Sequence, residues 1–147
     1  MSDVPNCFYR LSLKGLILNE TRDKFLIVQE DNGLWELPGG GLSWGESPQV
    51  GLQREIEEEM GLQVTWVSDT PSYLIVGQKK RDDIWIANVL FEVTVENLDF
   101  KPSEECVAVK YVSAEEAMVL NTFPNVQDLA KMFNPENHIN ILSAEPS

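Results

Sequence analysis

GGLSWGESPQVGLQREIEEEMGL, residues 40–62, is the stretch that decides the fold. Ser47 is placed to cap a helix that starts at Pro48: a short oxygen-bearing side chain satisfies free N–H groups, and proline has no N–H to leave unpaired. Gly61 ends the helix, because it enters the left-handed conformation without steric cost. At about 100° per residue, with Arg54 at 0°, Glu58 falls at about 40°, Glu55 at about 100° and Glu59 at about 140°. Leu52, Ile56 and Met60 follow at about 160°, 200° and 240°, so an apolar stripe adjoins an acidic one. Packing the stripe on a sheet fixes the helix so that Glu55, Glu58 and Glu59 converge beside the glycine run Gly39–Gly41. Gly51 leaves that face uncrowded, while Glu57, at about 300°, faces solvent.

Glutamates three and four residues apart repel each other by a few tenths of a kcal/mol per pair on an exposed helix, and one arginine neutralises one of them. Mg²⁺ or Mn²⁺ relieves that repulsion, because hard divalent cations take oxygen ligands and the cluster holds no soft one. A charge run alone reads as a solvated face. The spacing upstream of it points instead to a site: Gly40, then Glu46, then Arg54-Glu55, an apolar Ile56, Glu58-Glu59, Gly61 and an apolar Leu62.

That spacing coincides with the Nudix box at every specified position, and the chain resembles Nudix hydrolases. The resemblance implies an α/β fold, specifically an α/β/α sandwich with a central mixed sheet. It implies that Glu55, Glu58 and Glu59 bind metals that clamp a diphosphate, that a metal-activated water attacks phosphorus, and that the carbonyl of Gly39 ligates metal. Arg54 would orient a neighbouring glutamate. Glu46 would brace the loop against the helix, with Gly40 and Gly61 as fixed points of the motif. The general base is Glu55 or Glu58. A further metal ligand often comes from an acid just before the late strand, which makes Glu105, beside Glu104, the candidate; an exposed turn acid is the ordinary alternative.

Outside the box, Tyr9 to Leu18 and Lys24 to Gln29 read as two strands of a hairpin, followed by a turn at Asp31-Asn32-Gly33. Leu34 to Pro38 is extended. Val64 to Val67, Tyr73 to Gly77, Ile84 to Val95 and Val107 to Val112 read as strands, with Lys79 to Asp83 as a charged turn. Ser113 opens a capping-box helix, and Pro124 opens another that runs to about Phe133. The strand–helix mixture indicates helices packed on a sheet. Residues 1–147 form one domain on this reading, with a frayed tail from about residue 135 and a surface histidine at His138.

Lysine and arginine total 11 against 24 acids, a net charge of −13, which disfavours nucleic acid binding by bulk charge. An acidic chain that handles phosphates needs cations to bring them in. Cys7 and Cys106 are isolated from each other and from histidine, so neither zinc cluster nor disulfide framework is expected. With no leader-like opening and no apolar run near about 18 residues, a cytoplasmic chain that crosses no membrane is the expectation. The sequence leaves the oligomeric state open, a homodimer among the options.

The partner implied by the resemblance is a small-molecule nucleotide, and the first substrate is a nucleoside triphosphate, oxidised or not, cut to a nucleoside monophosphate and pyrophosphate. A nucleotide sugar or ADP-ribose is the alternative, although Val76-Gly77-Gln78 lacks the proline of many ADP-ribose-cleaving members and the aromatic-proline motif of NADH-cleaving ones is absent. A non-catalytic nucleotide sensor is a third reading, opposed by the intact glutamates. Trp35, Gln127 and Lys79 are the substrate-binding candidates, Trp35 being mainly structural in character since strand aromatics more often serve the core. Gln127 follows Phe123-Pro124-Asn125, a short segment that resembles a base-contacting one in triphosphate-cleaving relatives. Lys79 belongs to a basic turn that could draw in anions.

Overall fold

In the computed structural model, which describes residues 5–79 and 83–139 without the side chains of residues 78 and 79, two strands divide the core by alternation. Strand β1 (Tyr9–Leu16) and the residue after it give Leu13 and Ile17 to one apolar cluster and Leu16 to another. Strand β2 (Phe25–Gln29) gives Leu26 and Val28 to the first and Phe25 and Ile27 to the second. Helix α1 (Pro48–Met60) closes the first cluster with Leu52, Ile56 and Met60, the stripe expected from its sequence. Helices α2 (Ala114–Met118) and α3 (Pro124–Met132) close the second with Ala117, Val126 and Leu129. Helices therefore cover both sides of the strands, in an α/β/α arrangement.

The remaining strands are β3 (Trp35–Glu36), β4 (Gly39–Gly41), β5 (Val64–Lys79), β6 (Ile84–Val95) and β7 (Ala108–Val112). They form a mixed sheet in the order β4-β1-β6-β5, in which β1 and β6 run parallel, and a second, antiparallel sheet in the order β3-β2-β7. The hairpin expected between β1 and β2 forms only at its turn. Leu18 bridges Phe25, and the Asn19 side chain accepts from the backbone N–H of Asp23 and Lys24, both at 3.0 Å, before the strands part into different sheets. The two strands expected at Val64–Val67 and Tyr73–Gly77 are one 16-residue strand, β5, kept continuous through register shifts on either side of Pro71. Proline is tolerated there because β5 lies at the edge of its sheet.

Local signals at the helix ends are obeyed. Ser47 accepts from the N–H of Val50, Gly61 takes a left-handed φ of 65°, and Ser113 and Glu116 form the reciprocal capping box. The chain departs from expectation at its C-terminal stretch. Pro135–His138, at the start of the stretch expected to fray, is a 3-10 turn, the rest of that stretch from residue 140 lies outside the described residues, and His138 is 7% exposed, not a surface residue. Its Nε2 lies 2.6 Å from the Tyr73 hydroxyl, its ring stacks on Phe133, and Arg22 donates to its carbonyl. Of the expected charged turn, residues 80–82 lie outside the described residues, as does the side chain of Lys79.

Candidate active site

The apolar stripe of α1 fixes which glutamates can reach the glycine strand. Gly39 pairs with Lys14 of β1 at a φ of 131°, where an added Cβ would stand 2.1 Å from the carbonyl oxygen of Leu13. Its N–H donates to Oε1 of Glu59 at 3.4 Å. The carboxylate of Glu55 lies so close to Gly40 that a Cβ there would come within 2.5 Å of it. Two carboxylates of α1 are thus seated on the backbone of β4, Glu59 buried and Glu55 half-buried. Glu58 is 63% exposed and points outward from them.

Arg54 does more than balance one carboxylate. Its guanidinium grips Glu46 through two hydrogen bonds, of 2.7 and 3.0 Å, and its Nη1 reaches Glu55 and Glu58 at 3.3 Å each. The fork geometry of arginine makes this possible. The grip, with a hydrogen bond from the Ser43 N–H, holds the Glu46 carboxyl below the ordinary carboxylate range. Glu46 consequently ties the loop before α1 to the middle of the helix. Glu57, expected in solvent, is half-buried and accepts from the N–H of Val64 at 3.2 Å, which fastens the helix end to the start of β5.

Burial pushes the carboxyl of Glu59 up to about 8, against the pull of Lys14 and the Gly39 N–H, with Glu105 and Glu36 adding to the rise. Glu105 is exposed, in the loop whose Ser103 hydroxyl donates to the carbonyl of Glu59. Glu30 is raised too, first by burial and then by Glu36. Among the described residues no three His, Cys, Asp or Glu side chains converge at metal-ligand spacing. The donor chemistry nonetheless fits a hard divalent cation: Glu55, Glu58, Glu59 and the Gly39 backbone offer oxygen alone, and two of those carboxylates are seated on one strand. A buried carboxylate disfavoured as an anion gains from a cation beside it.

On the opposite face of β1 from the apolar core of α1, Ser12 and Lys14 open on a cavity of about 410 Å³. Its floor includes Asn88 and Ile86 of β6 and Ile75 of β5, its far wall Phe123 just before α3 with Asn125 and Asp128 of that helix, and its near end Glu30 and Glu36. Asn125 donates to Asn88 at 3.4 Å, while its side-chain oxygen, Oδ1, is buried without a partner. Gln127 is not among the lining residues, its neighbours Asn125 and Asp128 taking that place. Trp35 is tied into the fold: its backbone bonds Asn121 and Phe123, its ring packs on the second core cluster, and Lys110 Nζ sits 5.3 Å over it. The alternation of Arg10, Ser12 and Lys14 with Leu11 and Leu13 is the sequence signal for this polar face of β1.

A family model described as the NUDIX domain matches residues 9–134. The MutT protein of Methanosarcina mazei Go1 superposes with a TM-score of 0.69 at 26% identity, over 91% of this chain and 99% of that one. An ADP-ribose pyrophosphatase of Streptococcus suis superposes with a TM-score of 0.63 at 25% identity, over 90% and 94%. The nucleoside triphosphatase NudI of Escherichia coli is 30% identical over 91 residues, which cover 57% of this chain and 64% of that protein. Three other curated relatives are matched over 28 to 38% of their own length.

Proposed function

The chain belongs to the Nudix family, and from that premise we propose a divalent-metal-dependent pyrophosphohydrolase that cleaves a nucleoside diphosphate linked to another moiety. The observation that carries the proposal is the seating of Glu55 and Glu59 on the backbone of Gly40 and Gly39, with Glu58 one turn from Arg54 on the same helix. Glu55, Glu58, Glu59 and the Gly39 carbonyl would hold Mg²⁺ or Mn²⁺, with Glu105 at the edge of the set. Such a cation lowers the pKa of water and neutralises charge on a phosphoryl group. Glu55 or Glu58 accepts the proton of the attacking water as its oxygen bonds to phosphorus and the anhydride P–O bond breaks. Arg54 keeps both in place through its contacts to them and to Glu46.

The cavity behind β1 takes the organic part of the substrate. Phe123, Ile75 and Ile86 offer apolar walls, and Ser12, Asn88, Asn125 and Asp128 offer polar contacts around them. This composition suits a nucleoside: bases have an apolar face and a hydrogen-bonding edge. A nucleoside triphosphate cut to the monophosphate and pyrophosphate is the first reading, in keeping with the triphosphatase likeness. The ADP-ribose pyrophosphatase likeness favours a second reading, ADP-ribose or a nucleotide sugar.

The deciding experiment incubates the protein with nucleoside triphosphates, nucleotide sugars, ADP-ribose and dinucleoside polyphosphates, with Mg²⁺, Mn²⁺ or EDTA, and identifies products. Chelator-sensitive release of a nucleoside monophosphate is the expected result. No turnover of any panel member would sink the proposal. Among the described residues no helix is long and apolar enough to cross a membrane, and Cys7 and Cys106 are both free thiols. A cytoplasmic setting agrees with the latter.

A further inference from the structure

Lys14 is a nearly buried cation on the polar face of β1, 7% exposed, on a chain that carries a net charge of −13. Register places it beside Leu90 of β6 on one side and Gly39 of β4 on the other. Its ammonium lies 3.8 Å from Oε2 of Glu36, longer than a hydrogen bond. A primary ammonium has three donors, and burying one without close acceptors is costly unless something else meets it. The side chain opens on the cavity, where, among the described residues, the lining acids are Glu30, Glu36 and Asp128 and the lining cation is Lys14. Arg10, two register steps away, is turned aside: its guanidinium lies over Gly41 and donates to the carbonyl of Leu42 at 3.1 Å.

We propose that Lys14 is a substrate-binding residue whose ammonium holds a non-bridging oxygen of the phosphoryl group next to the cavity-bound moiety. The proposal rests on the preceding reading that a nucleoside fills the cavity and that its diphosphate meets the carboxylates of α1. The Lys14–Gly39 pair joins those two places, because Gly39 bonds Glu59 on one side and Lys14 opens on the cavity at the other. A phosphoryl group spanning them passes the ammonium. It enters a wall with three acids, so the charge of its oxygen must be met there, and among the described lining residues Lys14 is the group that meets it. The long contact to Glu36 lets the ammonium turn to a phosphate without breaking a short hydrogen bond.

The test uses the whole chain, with Lys14→Met to remove charge while keeping length and Lys14→Arg to keep charge. Binding of adenosine and guanosine is compared with binding of their 5′-monophosphates in EDTA. The unaltered chain should prefer a monophosphate over its nucleoside, and Lys14→Met should weaken the monophosphate by at least about tenfold and the nucleoside by less than about twofold. Lys14→Arg should recover most of the preference. Equal weakening of both ligands would make Lys14 a structural residue and overturn the proposal, as would a monophosphate preference that survives Lys14→Met. Should Lys14→Met fail to fold, Glu36→Gln decides: it frees the ammonium and should tighten monophosphate binding, and unchanged or weaker binding overturns the idea. A Lys14-dependent preference in a chain that turns over no panel member would leave this proposal standing and remove the catalytic one.

Discussion

The carboxylates facing β4 come from a span of five consecutive residues, Glu55 to Glu59, on one helix, whereas the cavity behind β1 draws Lys14, Glu36, Asn88 and Asn125 from four separate elements. The first place is dense in charge and anchored by hydrogen bonds to backbone and to Arg54. The second is mixed in character and keeps a buried polar atom without a partner, the side-chain Oδ1 of Asn125. A site for a phosphate chain needs fixed charge at set spacing, which one helix supplies. A site for a nucleoside needs a shaped hollow, which only several elements together can make. If that division holds, changes on α1 should act on kcat and changes around the cavity on KM.

Glu58→Gln and Glu59→Gln should show the largest effect, each lowering kcat by about 10²- to 10⁴-fold while the unfolding midpoint stays put. Wild-type kcat in either variant would remove that residue from the proposed chemistry. Gly39→Ala comes next: with φ at 131° and the Leu13 carbonyl 2.1 Å from the added carbon, it should lose on the order of 3 kcal/mol in denaturant unfolding. A stable Gly39→Ala chain would mean that the β4 backbone can move and that the seat of Glu59 is not fixed. Arg54→Ala should cost about 10- to 100-fold in turnover through Glu46, Glu55 and Glu58, its circular dichroism unchanged. Should it merely unfold, its part would be structural.

Cavity changes sharpen the other half of the comparison. Asn125→Ala and Asp128→Asn should raise KM by about tenfold with little change in kcat, and should change the ranking of substrates in the panel. A fall in kcat at constant KM would merge the two places into one. The smallest effect concerns His138, which neither place uses. Burial holds its imidazole below the ordinary value of 6.5, so the folded chain favours the neutral ring while the unfolded chain binds a proton at about that value. The contribution to stability is complete above pH 6.5 and is lost as the pH falls below it, a decline that thermal unfolding should show and His138→Gln should flatten.

Legibility in the sequence followed how local each signal was. Ser47, Pro48 and Gly61 act through their own backbone, and α1 starts and stops where they place it. The angular spacing of Glu55, Glu58 and Glu59 against Leu52, Ile56 and Met60 is likewise a property of one helix. Glu57 escaped that logic because its partner, the N–H of Val64, lies beyond the end of the helix. The parting of β1 from β2 depends on what each meets across the core, which a turn at Asn19 cannot announce. His138 reads as polar and terminal, yet Tyr73 and Arg22 meet it from afar in the chain, beside the nearby Phe133. On α3 the cavity is lined by Asn125 and Asp128, two residues before and one after the expected Gln127, since helical phase is hard to fix for a short element.

Strand β1 separates the two places by the thickness of one backbone, with Leu13 toward the α1 core and Lys14 toward the cavity. Inserting or deleting one residue between Tyr9 and Leu16 would exchange those faces, putting an ammonium in the core and a leucine in the cavity. Homologous chains can therefore change length at the Asn19–Lys24 turn, while length changes inside β1 would be purged. The reading frame of a single strand is thus a unit of inheritance here, more tightly bound than the identity of many of its residues.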